Sequence, residues 1–143
     1  MAAYNKFEQF VKDLAEQVHD LSADAINIYL SNAVPSASAD VVKTDLAEIA
    51  TGNGYTGPED TQNTGAEATG TYTLTGTKIV ITASGGAIAQ FQYVVLYNDT
   101  PAAPLDPLIG WWDHGSAVDL ADGETFTIKF NNGDPTGTIL TLA

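Results

Sequence analysis

The chain has no cysteine and no arginine among its 143 residues. Without thiols there is no disulfide framework and no thiolate metal site. Without arginine the bidentate recognition of phosphates and bases is missing. The only fixed cations are Lys6, Lys12, Lys43, Lys78 and Lys129, against eighteen acids, for a formal net charge of −13. Such a balance repels DNA, RNA and anionic lipid, so neither a nucleic acid nor a membrane is expected as a partner. The same acidity favours solubility and keeps the protein away from other polyanions, packaged nucleic acid included. Long apolar runs are absent too: the longest near-apolar stretch, around Phe91 to Tyr97, is far too short to span a bilayer. Residues 1–25 show no basic start and no apolar run of the secretory kind, because Phe7, Phe10, Val11 and Leu14 alternate with charges. The expectation is a soluble product made in the cytoplasm.

What remains is ordinary globular material, 44% apolar and only 16% charged, of a length that fits one domain over residues 1–143. Within it an N-terminal segment (1–22), a long Gly/Thr-rich loop (51–70) and a β-rich body (71–143) differ in pattern. Phe7, Phe10, Val11, Leu14, Val18 and Leu21 recur at three- and four-residue spacing, which reads as an amphipathic helix with Asn5 as a plausible N-cap. A terminal segment of this kind can also be drawn into extended form by a sheet or a partner. Asp20 to Asp24 reads as a turn and Ile26 to Leu30 as a strand, while Asn32 to Ala39 is loop. Val41 to Ala50 reads either as a short helix begun by Asp40 or as irregular edge. Residues 51–70 hold five glycines and one large apolar residue, Tyr55, and read as a loop that either reaches toward a partner or simply covers surface.

From Thr71 the pattern is β to the end. Thr71–Thr75, Lys78–Thr82, Ile88–Tyr97, Leu108–Trp112, Thr125–Phe130 and Thr138–Leu142 are separated by Gly-, Pro-, Asn- and Asp-containing turns. Phe91, Tyr93, Val95 and Tyr97 are expected to share one face, as are Phe126, Ile128 and Phe130. The class is therefore mainly β: an antiparallel β-sandwich or jelly-roll-like barrel with an N-terminal segment that can be helical.

Little in the chain carries reaction chemistry. His19 and His114 lie far apart without a metal-ligand spacing, and a hydrogen bond within a turn accounts for His114. No nucleophile elbow or phosphate-binding loop occurs. Asp119, Asp122 and Glu124 are what a hairpin turn contains anyway, and the calcium loop of an EF-hand is missing. No catalytic residue, cofactor or metal is expected. The formal glycosylation triplet Asn98-Asp99-Thr100 is discounted for want of a secretion signal. Trp111 and Trp112 are more informative: neighbours on a strand point to opposite faces, so the two rings cannot enter the same core. Either one faces outward, toward a sugar or a protein, or both are buried in a strand covered on both sides.

Several stretches then carry a likeness: Tyr4-Asn-Lys-Phe7, Phe10-Val11, Val18-His-Asp-Leu21, Leu30-Ser-Asn32 through Pro35, Glu48-Ile-Ala50 and Gly52-Asn-Gly-Tyr55. Tyr93 to Thr100, Leu108 to Asp113, Gly115-Ser116, Leu120 to Phe126 and Leu140-Thr-Leu142 continue it, leaving out residues 57–70 and 131–136. In these the chain resembles a family of small proteins encoded in the structural-gene regions of tailed bacteriophages. The resemblance implies an all-β virion protein without catalytic residues, decorating or cementing the capsid. Its implied partner is the major capsid protein, its state a homo-oligomer with a trimer favoured, and its location the capsid surface. A tail- or fibre-associated carbohydrate-binding module is the alternative, and a glycan-cleaving enzyme with an acid pair a more distant one. Tyr4, Phe7, Phe10, Tyr55, Trp111 and Trp112 are the expected partner contacts.

Overall fold

The computed structural model describes residues 2–143. Over these residues the chain is mainly β, with one α-helix and several antiparallel sheets in a sandwich-like arrangement. A short strand β1 (Tyr4–Lys6) leads into helix α1 (Glu8–Ala15) and then β2 (Ile26–Ser31). After a long irregular crossing come β3 (Glu59–Asp60), β4 (Thr64–Ala68), β5 (Thr71–Thr77) and β6 (Ile79–Thr82). The body closes with β7 (Phe91–Asn98), β8 (Leu108–Val118), β9 (Thr125–Ile128) and β10 (Thr136–Leu142). Five strands form one sheet in the order β1-β8-β7-β2-β3, three form a second, β10-β5-β4, and β6 pairs with β9. Among the described residues no helix is long and apolar enough to cross a membrane.

The five-stranded sheet is apolar on both faces, as its central strands foretell. On one face Ile26, Ile28 and Leu30 of β2 and Val94 and Leu96 of β7 meet Leu74 of β5, Ile79 and Ile81 of β6, Ile128 of β9 and Leu140 of β10. On the other, Tyr29, Tyr93, Val95, Tyr97 and Leu108 form a second core with Phe7 and Leu46. That second core is roofed by the irregular segment 32–50, fastened by Leu108 N–H to Val41 O (3.0 Å), Lys43 N–H to Asp106 O (2.9 Å) and Ile49 N–H to Leu30 O (3.0 Å). Within it a single helical turn, Lys43–Asp45, replaces the longer helix that Asp40 could have begun.

The N-terminal helix is shorter than its spacing predicts. Asn5 lies in β1, opposite Trp111, and Phe7 occupies the N-cap position with no side-chain cap. Sheet pairing therefore overrides the capping preference of Asn5. Gln17 has φ +65°, which stops the helical path before Val18 and Leu21 can join it.

The register of β7 also differs from strict alternation. Between the pairs Phe91↔Val118 and Tyr93↔Asp113, β8 takes five steps while β7 takes two. The break reverses the sidedness of β7, so Phe91 enters the first core and Tyr93, Val95 and Tyr97 the second. Phe126, Ile128 and Phe130 do stay together, on the first core.

Residues 51–70 are not one loop. Tyr55 is 1% exposed; its hydroxyl donates to Glu48 Oε1 (2.7 Å) and accepts from Leu30 N–H (3.1 Å). Glu48 also pairs with Lys43 (2.6 Å), whose ammonium stands 4.8 Å from the centre of the Tyr29 ring. Beyond Tyr55 the chain adds β3 to the edge of β2, then forms the β4–β5 hairpin through Thr69 and Gly70, both with positive φ. All five residues of β4 are exposed.

Candidate functional site

The six expected contact residues fall into three groups. Phe7 and Phe10 are 0% and 2% exposed and Tyr55 is buried with them, so these three are core residues and offer no surface to a partner. The expectation fails for them because an apolar stripe beside a β-rich body is worth more inside: each buried aromatic ring contributes roughly 1.5–3 kcal/mol. Trp111 lies against Phe7 (ring centres 4.6 Å apart) at the margin of the second core. Tyr4 and Trp112 come together on the opposite face, ring centres 5.6 Å apart, and both remain part-exposed. The two tryptophans thus point to opposite faces, as their adjacency requires.

The Tyr4–Trp112 pair is the candidate site. β1 holds Tyr4 directly opposite Trp112 in the sheet register, and the Phe130 ring is tilted against the indole with centres 5.7 Å apart. A cleft of about 240 Å³ opens beside Trp112, floored by Val94, Phe126, Ile128 and Phe130 and rimmed by His114, Thr127 and Lys129. A second depression of about 360 Å³ lies on the Tyr4 side, lined by Ala2, Ala3, Asn131, Thr138 and Leu140 among others. Trp112 stands as a ridge between them.

The excursion in β8 builds the rim. Residues 114–117 leave the ladder after Asp113, whose carboxylate accepts from Gly115 N–H (2.7 Å) and from Gln92 (2.9 Å). Those bonds hold the Asp113 carboxyl below the usual carboxylate range. Gly115 takes φ +92° at the apex. His114 Nδ1 lies 3.2 Å from Ser116 O, the turn contact expected of it, and its ring packs edge-on to Phe126 at 5.9 Å. Lys129 is tied to Asp134 (2.7 Å), which also holds Lys78 (2.7 Å). With two ammonium groups on it, the Asp134 carboxyl is drawn down to about 2. Charge at the rim is therefore nearly balanced, unlike the acidic remainder of the chain.

The other groups weighed in the sequence have structural duties. Asp122 accepts from Gly85 N–H, Asp119 from Gln90, and Glu124 from Ala121 N–H. Asn98 is fully buried; its amide donates to Asp24 (2.6 Å) and meets His19 Nδ1 (3.0 Å), while Thr100 N–H donates to its oxygen. Asn98 is thus a buried fastening and not an accessible acceptor, although Asp99 and Thr100 beside it are exposed. Among the described residues no group of three or more His, Asp or Glu is placed to hold a metal ion.

The β8 excursion, which builds the rim, escaped the sequence reading. Its signal was there: His114-Gly115-Ser116 is a turn-like string inside an otherwise β run. The fold and site together define a small antiparallel sandwich with an aromatic ridge on one face. No protein-family model, curated protein or solved structure matches the chain.

Proposed function

We propose that the protein is a non-enzymatic virion component that decorates the capsid, binding across neighbouring major capsid subunits and stabilising the shell. The observation that carries a docking role is the Tyr4–Trp112 ridge, a part-exposed aromatic pair standing between two clefts where charge is nearly balanced. Aromatic anchors seated in a partner's pockets dominate protein interfaces, and they cluster where fixed charge is low. Elsewhere the surface is acidic and lacks arginine, which keeps it off packaged nucleic acid while leaving the ridge free to bind protein. The capsid setting rests on the sequence resemblance. Purified chain added to shells lacking it should co-sediment with them, and Trp112→Ala should weaken that binding at least tenfold, a typical hot-spot loss. Undiminished binding by Trp112→Ala would overturn the ridge as the docking element.

The same cleft supports a second reading, a carbohydrate-binding module of a tail or fibre. Phe126 and Phe130 on the floor, with Trp112 as an aromatic wall and a polar rim of His114, Thr127 and Lys129, form an arrangement that stacks and orients a sugar ring. Glycan-array binding lost in Trp112→Ala supports it; a blank array with the wild-type chain counts against it.

A further inference from the structure

We infer that the outer edge of β4 is a pairing edge for a second copy of this chain, joining two β4 strands antiparallel about a two-fold axis at Ala66. The inference stands apart from the capsid reading. Edge strands are ordinarily guarded by lysine, proline, a bulge or extreme shortness. β1 and β3 are three and two residues long. β4 runs for five exposed residues, Thr-Gly-Ala-Glu-Ala, pairs regularly with β5 on its inner side, and has no lysine, proline or bulge, Glu67 being its one charge.

The register of the hairpin fixes which groups point outward. Thr69 and Gly70 have φ +50° and +84°, the signature of a two-residue type I′ turn. In that turn the flanking pair, Ala68↔Thr71, exchanges both backbone hydrogen bonds, and so do Ala66↔Thr73 and Thr64↔Thr75. The N–H and C=O groups of Gly65 and Glu67 therefore face away from β5. An axis at Ala66 sets Gly65 of each copy opposite Glu67 of the other, and the two pairs exchange four backbone hydrogen bonds.

Side chains agree with that register. Ala66 meets its own copy in the closely spaced, non-hydrogen-bonded pair, where small side chains fit best. Each Glu67 faces a glycine and not an acid, so the pairing creates no direct carboxylate clash on a chain of net charge −13. Tyr72, opposite Glu67, reaches diagonally across Gly65, where any Cβ would collide with its hydroxyl. The ring stiffens the strand at its weakest residue and leaves the outer backbone groups clear.

The absence of cysteine gives a clean test in the full chain. Under mild oxidation Ala66→Cys should cross-link to a dimer, because the two thiols stand opposite one another. Ala68→Cys should not, since its thiols would lie roughly 13 Å apart along the strands, beyond disulfide reach. By sedimentation equilibrium the wild type should be dimeric at high concentration, and Ala66→Lys and Ala66→Glu each monomeric. Mixing the two variants should restore the dimer. A monomeric wild type, dimers that persist in Ala66→Lys, or equal cross-linking by Ala68→Cys would each overturn the inference.

Discussion

At the scale of single residues, the structure separates anchors of the core from side chains free to bind. Phe10 is fully enclosed, and Phe10→Ala should destabilise folding by about 3–5 kcal/mol in chemical denaturation. Tyr55→Phe should cost about 1–3 kcal/mol, since it strips the buried Leu30 N–H of its acceptor and Glu48 of a donor. A ΔΔG near zero would show that Tyr55 is packed but not bonded. His19 sets an acid limit. Burial holds its imidazole below the ordinary 6.5, against the pull of Asp13 and Asp24, while Asn98 contacts Nδ1 and Phe10 packs on the ring. The folded state therefore binds less proton at this site than the unfolded chain. Its contribution is complete above pH 6.5 and declines as pH falls through 6.5 toward the depressed folded value. Urea midpoints should drop between pH 7.5 and 5.5, and the drop should shrink in His19→Gln.

Elements were legible in the sequence where a single periodicity ruled. β2 and β9 appear where alternation places them, and the turn at Asp20 to Asp24 is closed by Asp24 N–H to Asp20 O (2.8 Å). The helix was legible in kind but not in extent, because Phe7 and Phe10 serve different cores and sheet pairing claims Asn5. The β4–β5 hairpin was hidden for a local reason. Thr-Gly-Ala-Glu-Ala has weak strand propensity, and its turn uses Thr69 where Asn or Asp would announce a type I′ geometry. A β-branched residue at φ +50° is held there by the pairing on either side. Thr69→Asn should therefore stabilise the protein by about 0.4–1 kcal/mol, read as a raised melting temperature. Of the candidate site, the opposition of Trp111 and Trp112 followed from strand geometry alone. The meeting of Tyr4 with Trp112 needed the register of β1 on β8, which crosses more than a hundred residues and leaves no local mark.

For the whole molecule, two surfaces stand out from an acidic, arginine-free exterior: the aromatic ridge and the bare edge of β4. Both concentrate neutral groups where the rest of the chain repels its own kind. Self-association along β4 should tighten as salt screens the net charge of −13 that each copy carries, the reverse of a contact made by ion pairs. Sedimentation across a salt series reads this directly. The proposed docking of the ridge onto a shell is tested most directly by cryo-microscopy of particles carrying the protein. The predicted map shows the chain at a copy number comparable with the major capsid protein, with Tyr4 and Trp112 buried against it. A few copies per particle at the tail, or a Trp112 facing solvent in the bound state, would contradict docking by the ridge.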